Sequence, residues 1–324
     1  MKPVDKKTII VCIPIYRDWE SAGKLLSEMD VELRRFGDHY RLEVLLVDDG
    51  AEEKGKPVFP SPLQFIERIG ILRMRRNLGH QRAIAIGLSY IHAHKHADAV
   101  MVMDGDGEDT VRGVATLITE FSDNQGRVVV FARRGRRTES MLFRIFYQLY
   151  KLLHWVLTGR GIQVGNFSIL PFQHLECLVA APELWNHYAA SVIKLKLPCK
   201  LVPIDRGHRI AGKSSMNFIA FVIHGLSAIS VYAEEVGVRL MVFCAIMIGV
   251  FALGLAGVIS IRFFTDYAIP GWATSAFGLT FSVILQLLVI SLIVVVITLK
   301  NRSAADFMPM RDFQYFIREK EANI

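Results

Sequence analysis

Two uncharged stretches near the carboxyl end constrain this chain more than any other feature. From Leu240 to Ile261 there are 22 residues without a charge, nearly all apolar. A second uncharged stretch covers Tyr267–Leu299. Pro270 and Gly271 fall early in it, so its helix is expected over residues 277–299. At 1.5 Å rise per residue, about 20 residues cross the hydrocarbon of a bilayer. Core helices of globular proteins are usually shorter. The pair therefore reads as a transmembrane hairpin over 237–300. Gly249, Gly254, Ala256 and Gly257 in the first helix, and Gly278 and Ser282 in the second, would let the two approach closely.

Charge sets the expected orientation. Arg262 and Asp266 lie in the connecting loop, whereas Arg239, Lys300, Arg302 and Arg311 flank the pair. The positive-inside rule puts both chain ends in the cytoplasm. The first eight residues are polar, and no signal peptide is expected. Residues 216–236 read as a juxtamembrane amphipathic helix and residues 301–324 as a cytoplasmic tail. Cys12, Cys177, Cys199 and Cys244 show no metal-binding spacing and suit a reduced compartment. The formal charge of +7 suggests an anionic partner. No zinc spacing or aromatic-bearing strand signature points to nucleic acid, so lipid headgroups and phosphorylated substrates are the expected partners.

The first 215 residues alternate between strand-like and helix-like patterns. Thr8–Ile15, Leu42–Val47, Gly70–Arg73, Ala99–Met103 and Val128–Ala132 read as strands. Asp18–Phe36, Gln81–His92 and Val111–Phe121 read as helices. Such alternation predicts an α/β fold with a doubly wound, mostly parallel sheet. Ligands gather at the carboxyl ends of strands in such sheets. Two acidic clusters fall there, Asp48-Asp49 and Asp104-Gly105-Asp106. No Walker loop or dinucleotide fingerprint is present. Carboxylates at strand ends suit a hard cation bridging a diphosphate, Mg²⁺ or Mn²⁺. His92, His94 and His96 lack a further ligand and read as a solvated helix end.

Four motifs stand in order: Val11-Cys12-Ile13-Pro14-Ile15-Tyr16, Val47-Asp48-Asp49-Gly50, Arg76-Asn77-Leu78-Gly79-His80-Gln81, and Val102 to Asp109 reading VMDGDGED. With the hairpin, they resemble the family 2 glycosyltransferases of GT-A fold, and within them the polyprenyl-phosphate branch of the dolichol-phosphate mannose synthase and bactoprenol glucosyltransferase type. The resemblance implies a GT-A domain over 1–215. It implies transfer of a sugar, with inversion, from a nucleotide-diphosphate sugar to a polyprenyl phosphate. Pro14, Tyr16 and Asp18 would line the base pocket. Asp48 would hold the base or ribose with Asp49 nearby, and Arg76, Asn77 and Gly79 would border the nucleotide. Asp104 would orient ribose and metal waters, Asp106 would ligate the metal, and Glu108 could reach it.

The physical requirements agree with these roles. A divalent cation stabilises a leaving diphosphate without proton transfer. A phosphate monoester acceptor has a second pKa near 6, so it needs little general-base help at pH 7. Cationic side chains must gather the two anions, and Arg gives forked phosphate contacts. The family pattern matches Arg133 and Arg144, and a loop that here reads Arg209-Ile210-Ala211-Gly212-Lys213-Ser214-Ser215-Met216. Arg209, Lys213 and Ser214 are the acceptor-phosphate candidates there, although Ser215 and Met216 replace the family's Lys and Tyr. Arg136 and Arg137 suit either phosphate or a solvated basic loop. A second departure lies at Gly161–Ser168, where the family has an Asp and this chain offers Gln163 or Asn166.

Met141–Leu157 and Phe218–Val231 are apolar and aromatic enough to lie in the headgroup layer, or to pack in a core. A lipid-linked product would need a flippase and an outer-face glycosyltransferase, and the hairpin could mediate homo-oligomers. The implied location is a bacterial inner membrane. A polysaccharide synthase would carry Gln-x-x-Arg-Trp, and no Trp here follows Arg. A non-catalytic membrane scaffold on the same fold and a glycosyltransferase with another acceptor are the competing readings.

Overall fold

The structure, a computed structural model, describes residues 6–50, 63–134, 141–161, 164–210, 218–265, 271–303 and 307–322. It divides into two units. The first comprises residues 1–146, 162–231 and 307–324, and the second 147–161 and 232–306.

In the first unit, β1 (Lys7–Ile15), α1 (Trp19–Glu32), β2 (Tyr40–Asp48), β3 (Ile66–Met74), α2 (His80–His94), β4 (Ala99–Val102), α3 (Val111–Asp123) and β5 (Val129–Arg134) follow one another. Helix α4 (Met141–Thr158) crosses the boundary between units. Then come β6 (Ser168–Pro171), α5 (Leu175–Val179), α6 (Tyr188–Lys194), β7 (Cys199–Ile204) and α7 (Phe218–Ser230). After the second unit's α8 (Ala233–Phe264) and α9 (Trp272–Ser303), the chain adds α10 (Pro309–Asp312) and β8 (Ile317–Ala322) to the first.

The sheet has eight strands in the order β7-β5-β6-β4-β1-β2-β3-β8. The β1–β2, β1–β4, β2–β3 and β5–β7 pairs are parallel, while β6 and β8 run antiparallel to their neighbours. The expected α/β class and mostly parallel central sheet are observed. Strand β1 shows why the sheet is covered on both faces. Ile9, Val11, Ile13 and Ile15 pack into one core layer with α1 and α3. Ile10 and Cys12 enter the opposite layer with α2. A strand buried on both faces reads as a continuous apolar run, as this one does.

Helix α2 lies unusually close to the sheet at Gly87. A Cβ there would stand 2.5 Å from Cys12 Sγ and 2.8 Å from Val47 Cγ2. Glycine is required here by the close approach rather than by its backbone freedom.

Strands β6, β7 and β8 were not among the expected elements. β8 lies within residues read as a tail. It pairs with β3, placing Glu319 opposite Arg73 and Lys320 opposite Leu72. Its sequence is mostly charged, which suits a solvent-facing edge. Phe313 and Ile317 just before and at its start are buried, and Trp185 packs at a tilt against Phe307 and Phe316.

In the second unit, α8 and α9 each have 32 residues, extending the expected helices at both ends. Their most apolar windows reach mean hydropathies of 2.7 and 2.8, with 6% and 0% of those windows buried. Both helices are long and apolar enough to cross a membrane. The last turn of α4 ends in this unit at Gly159 (φ +73°), whose N–H donates to the Trp155 carbonyl at 2.7 Å. Arg239 donates to the Val156 carbonyl at 3.0 Å, capping the same turn.

Gly87→Ala tests the helix–sheet fit. Alanine favours a helix interior by about 1 kcal/mol over glycine. The collision with Cys12 and Val47 should outweigh this, and the variant should lose about 1–3 kcal/mol in thermal unfolding. A stabilised variant would show that α2 does not approach the sheet as described.

Candidate active site

The carboxyl ends of β1, β2 and β4 open on one edge of the first unit. At the end of β2, Asp48 is 4% exposed. Its Oδ1 accepts from Gly50 N at 3.0 Å and its Oδ2 from Arg73 Nη1 at 3.0 Å. The Arg73 guanidinium also lies over the Trp19 ring, 5.7 Å from its centroid. Asp49 accepts from the N–H groups of Leu78 at 2.7 Å and Gly79 at 2.8 Å. It thus ties the loop before α2 to the end of β2. Gly79 has φ +91°, which suits the sharp entry into α2. Both carboxylates of this cluster brace the loops; Arg76 and Asn77 beyond them are exposed.

Burial pushes the Asp49 carboxyl up from 3.8 to about 6. The two N–H donations and the nearby His80 pull it down, and Asp48 adds to the rise. Between those values the folded chain holds a proton that the unfolded chain has lost. This group's contribution to stability therefore falls as pH rises from 3.8 to about 6. The melting temperature of Asp49→Asn should lack that declining component. An unchanged pH profile in the variant would contradict it.

After β1, Tyr16 is 40% exposed. Arg17 adopts φ +61°, in the left-handed region uncommon for residues other than glycine. Its guanidinium stacks against the Tyr16 ring, 5.3 Å from the centroid. Pro14 lies within β1, paired with Val47. Asp18 follows and bonds Arg209 Nη2 through its Oδ2 at 2.7 Å. Burial raises the Asp18 carboxyl above its ordinary range; Arg209 lowers it and Asp106 raises it further.

The acidic turn after β4 is the most connected part of the edge. The Asp104 N–H donates to Asp109 Oδ2 at 2.9 Å, and Asp109 is buried. Asp106 Oδ1 accepts from Glu108 N at 3.0 Å, closing a turn whose Gly107 has φ +86°. The segment after β7 lies against this turn. Gly207 N donates to the Glu108 carbonyl and Ile210 N to the Asp106 carbonyl, both at 2.9 Å. Arg206 pairs with Glu108. Arg209 bridges Asp18 at 2.7 Å and Asp106 at 3.4 Å. Burial lowers the Arg206 pKa, and Asp106 and Asp104 oppose that.

His80, the first residue of α2, completes the site. Its Nε2 lies 3.2 Å from Asp104 Oδ1 and 3.0 Å from Asn166 Nδ2. His80 belongs to the Arg76–Gln81 motif, and its place directly after a helix-starting glycine is the signal in the sequence that points to it.

The structure therefore brings Asp18, Asp104, Asp106, Glu108 and Arg209 together, with Asn166 reaching His80. Arg133 is exposed near the end of β5, opposite Pro203 of β7. Arg144 lies on α4, but its side chain is outside the described residues, as are Arg136, Arg137, Gln163, Lys213 and Ser214. His94 stacks on Tyr90 at 4.5 Å.

Asp106, Glu108 and Asp18 present only carboxylate oxygens, the ligand type that Mg²⁺ and Mn²⁺ take. Among the described residues no three His, Cys, Asp or Glu side chains converge as a closed cage. A cation shared with substrate phosphates needs only one or two protein carboxylates. The donor set fits such an ion.

Comparison with known proteins bears on the fold and the reaction. The model of the family described as Glycosyl transferase family 2 matches residues 10–178, more than half of the chain. The chain belongs to glycosyltransferase family 2. It is an enzyme that acts on nucleotide sugars. Among curated relatives, the uncharacterized glycosyltransferase YkcC of Bacillus subtilis is 20% identical over 270 residues, covering 82% of this chain and 80% of that one. Among solved structures, glucosyl-3-phosphoglycerate synthase of Mycobacterium tuberculosis, in complex with Mn²⁺, UDP-glucose and phosphoglyceric acid, is 15% identical. That likeness has a TM-score of 0.48 and covers 71% of this chain and 80% of that one. The mannosyltransferase PcManGT of Pyrobaculum calidifontis, in complex with GDP-Man and Mn²⁺, is 15% identical with a TM-score of 0.40, covering 90% of this chain and 85% of that one.

Proposed function

We propose that this family 2 enzyme is anchored in a membrane and transfers a sugar, with inversion, from a nucleotide-diphosphate sugar to a polyprenyl phosphate. The supporting observation is the α8–α9 pair, in whose most apolar windows only 6% and 0% of the residues are buried. The chain leaves the catalytic unit after Val231 and rejoins it at Phe307. An even number of spans leaves the flanking segments on one side of the bilayer, and Arg239, Lys300, Arg302 and Arg311 around the pair support the cytoplasm as that side. An acceptor that resides in the same membrane suits this arrangement. A bacterial inner membrane, a flippase and an outer-face glycosyltransferase are the corresponding context, and the helical pair could join copies of the chain.

The residues divide the work by charge. Tyr16 and Arg17 offer a ring and a cation for the base, alongside Pro14 and Asp18. Asp48 and Asp49 hold the loops that shape this pocket, with Arg76, Asn77 and Gly79 at its border. Asp106 and Glu108 would hold Mg²⁺ or Mn²⁺, with Asp104 beside them. When bound, that cation supplies charge neutralisation for the leaving diphosphate. Arg206 and Arg209 already sit against these carboxylates, so their positive charge is available at the same place. Arg133, Arg144, Arg209, Lys213 and Ser214 are assigned to the acceptor phosphate. A phosphate oxygen that is largely unprotonated at pH 7 attacks without a strong base. This accommodates Asn166 where the family has an acid.

Membranes containing the full chain should convert one of a panel of labelled nucleotide sugars, with undecaprenyl phosphate, into a chloroform-soluble labelled product. That product should vanish with EDTA and with Asp106→Ala. Metal-dependent nucleotide binding without a lipid product from any donor would overturn the acceptor assignment.

A further inference from the structure

After α9 the chain returns to the first unit at Phe307, and the segment it builds there lies against the loop that leads from β3 into α2. That loop covers residues 75–79. Arg75 N–H donates to the Phe316 carbonyl at 2.8 Å, and Arg75 Nε donates to the Ile317 carbonyl at 3.0 Å. β8 then continues along β3, with Met74 opposite Ile317 and Arg73 opposite Glu319. The far end of the loop is held by Asp49, through Leu78 and Gly79. The loop is thus anchored at both ends, and Arg76 and Asn77 lie exposed between the anchors.

Side chains fix the start of α2 to the same segment. Trp185, between α5 and α6, packs against Phe307 and Phe316, with ring centroids 3.9 and 5.2 Å away. Phe307 and Phe316 meet edge to face at 5.5 Å. The Arg82 guanidinium, in the first turn of α2, lies over the Trp185 ring at 5.2 Å. Farther along, buried Phe313 meets the His94 ring edge-on at 6.0 Å, and Lys320 Nζ lies over the Tyr90 ring at 5.1 Å. The segment therefore follows α2 from its first turn to its last.

Burial of Phe313 and Ile317 would stabilise the sheet edge without any contact to the loop. The two Arg75 hydrogen bonds and the aromatic group under Arg82 are additional, and they act on the residues that flank Arg76 and Asn77. We propose that the segment after the two long helices is a positioning element for the nucleotide-sugar donor. Arg75, Phe316 and Trp185 hold the loop and the first turn of α2, so that Arg76 and Asn77 meet the nucleotide already ordered. Ordering the loop in advance removes a cost that binding would otherwise carry. The inference rests on the reading of this loop as the border of the nucleotide site. Residues 304–306 alone separate the end of α9 at Ser303 from Phe307. The donor loop is therefore completed by chain that is synthesised only after both long helices.

The test uses the full chain in detergent, with calorimetric binding of UDP and GDP in the presence of Mn²⁺. Arg75→Ala should weaken the nucleotide that the wild type binds by about tenfold, the scale of one hydrogen bond's contribution. Arg75→Lys keeps a donor for the Ile317 carbonyl and should stay within about twofold of the wild type. Phe316→Ala, whose lost ring lay against Trp185 rather than in the loop, should weaken binding by about the same factor as Arg75→Ala. The double variant should be about tenfold weaker and not about a hundredfold, because both changes release one loop. Thermal melts check that each variant is folded at the assay temperature, and Phe316→Leu takes the place of Phe316→Ala if the latter is not.

A lowered melting temperature with unchanged affinity is the result expected of a purely structural segment, and it overturns the inference. So does a multiplicative loss in the double variant, which would mean that Arg75 contacts the nucleotide itself. Arg76→Ala and Asn77→Ala test the reading beneath the inference. If both bind as the wild type does, or the wild type binds neither nucleotide, that reading fails and the inference with it. If they weaken binding while Arg75→Ala and Phe316→Ala do not, the inference alone fails.

Discussion

The pairing of the Asp106 turn with the segment after β7 is the contact on which the site depends. Asp18, Asp106 and Glu108 place three carboxylates at one edge, and their mutual repulsion must be offset. Arg209 between Asp18 and Asp106, and Arg206 on Glu108, do so. Two backbone hydrogen bonds, from Gly207 and Ile210, fix the segment to the turn independently of those charges. Gly107 makes the approach possible, since a Cβ there would lie 2.4 Å from Ile210 Cγ1. The segment that carries Arg206 and Arg209 and the turn that carries Asp106 and Glu108 are therefore one structural piece. Ligands that replace arginine charge with a cation would act on both at once.

The sheet supplies the rigidity behind this edge. β1 is buried on both faces and lies between β2 and β4, so the Asp48-Asp49 and Asp104–Asp109 clusters emerge side by side. Asp49 carries the order one step further by holding Leu78 and Gly79, which sets the start of α2 and the position of His80. Asn166, which accepts from Gln81, reaches the imidazole from the buried side. Polar groups at the mouth of the site are thus tied to buried groups beneath it.

The parts legible in the sequence were those written in continuous apolar runs. β1, β2, β4 and the two long helices have uninterrupted patterns, and the acidic clusters stand directly at strand ends. β8 was illegible because Ile317-Arg-Glu-Lys-Glu-Ala has neither an apolar run nor alternation, and it forms a strand only because β3 offers an edge. β6 was illegible because four residues ending in Pro171 are too few to show a period. At the site, the carboxylates and Arg209 could be named from motifs. The bracing roles of Asp48 and Asp49 could not, since they depend on Arg73 and on the N–H groups of a loop some 30 residues away. Nor could the place of His80 between Asp104 and Asn166.

The most direct test of the acidic turn is equilibrium binding of UDP and GDP to the purified full chain, with and without Mn²⁺, for wild type and Asp106→Asn. If the turn holds a cation-bridged diphosphate, one of the two nucleotides binds only with Mn²⁺, and Asp106→Asn weakens it by more than about 100-fold, since even residues that merely support a metal ligand cost about 10–100-fold. Binding that is independent of Mn²⁺ and unchanged in Asp106→Asn would place the donor elsewhere and contradict the account.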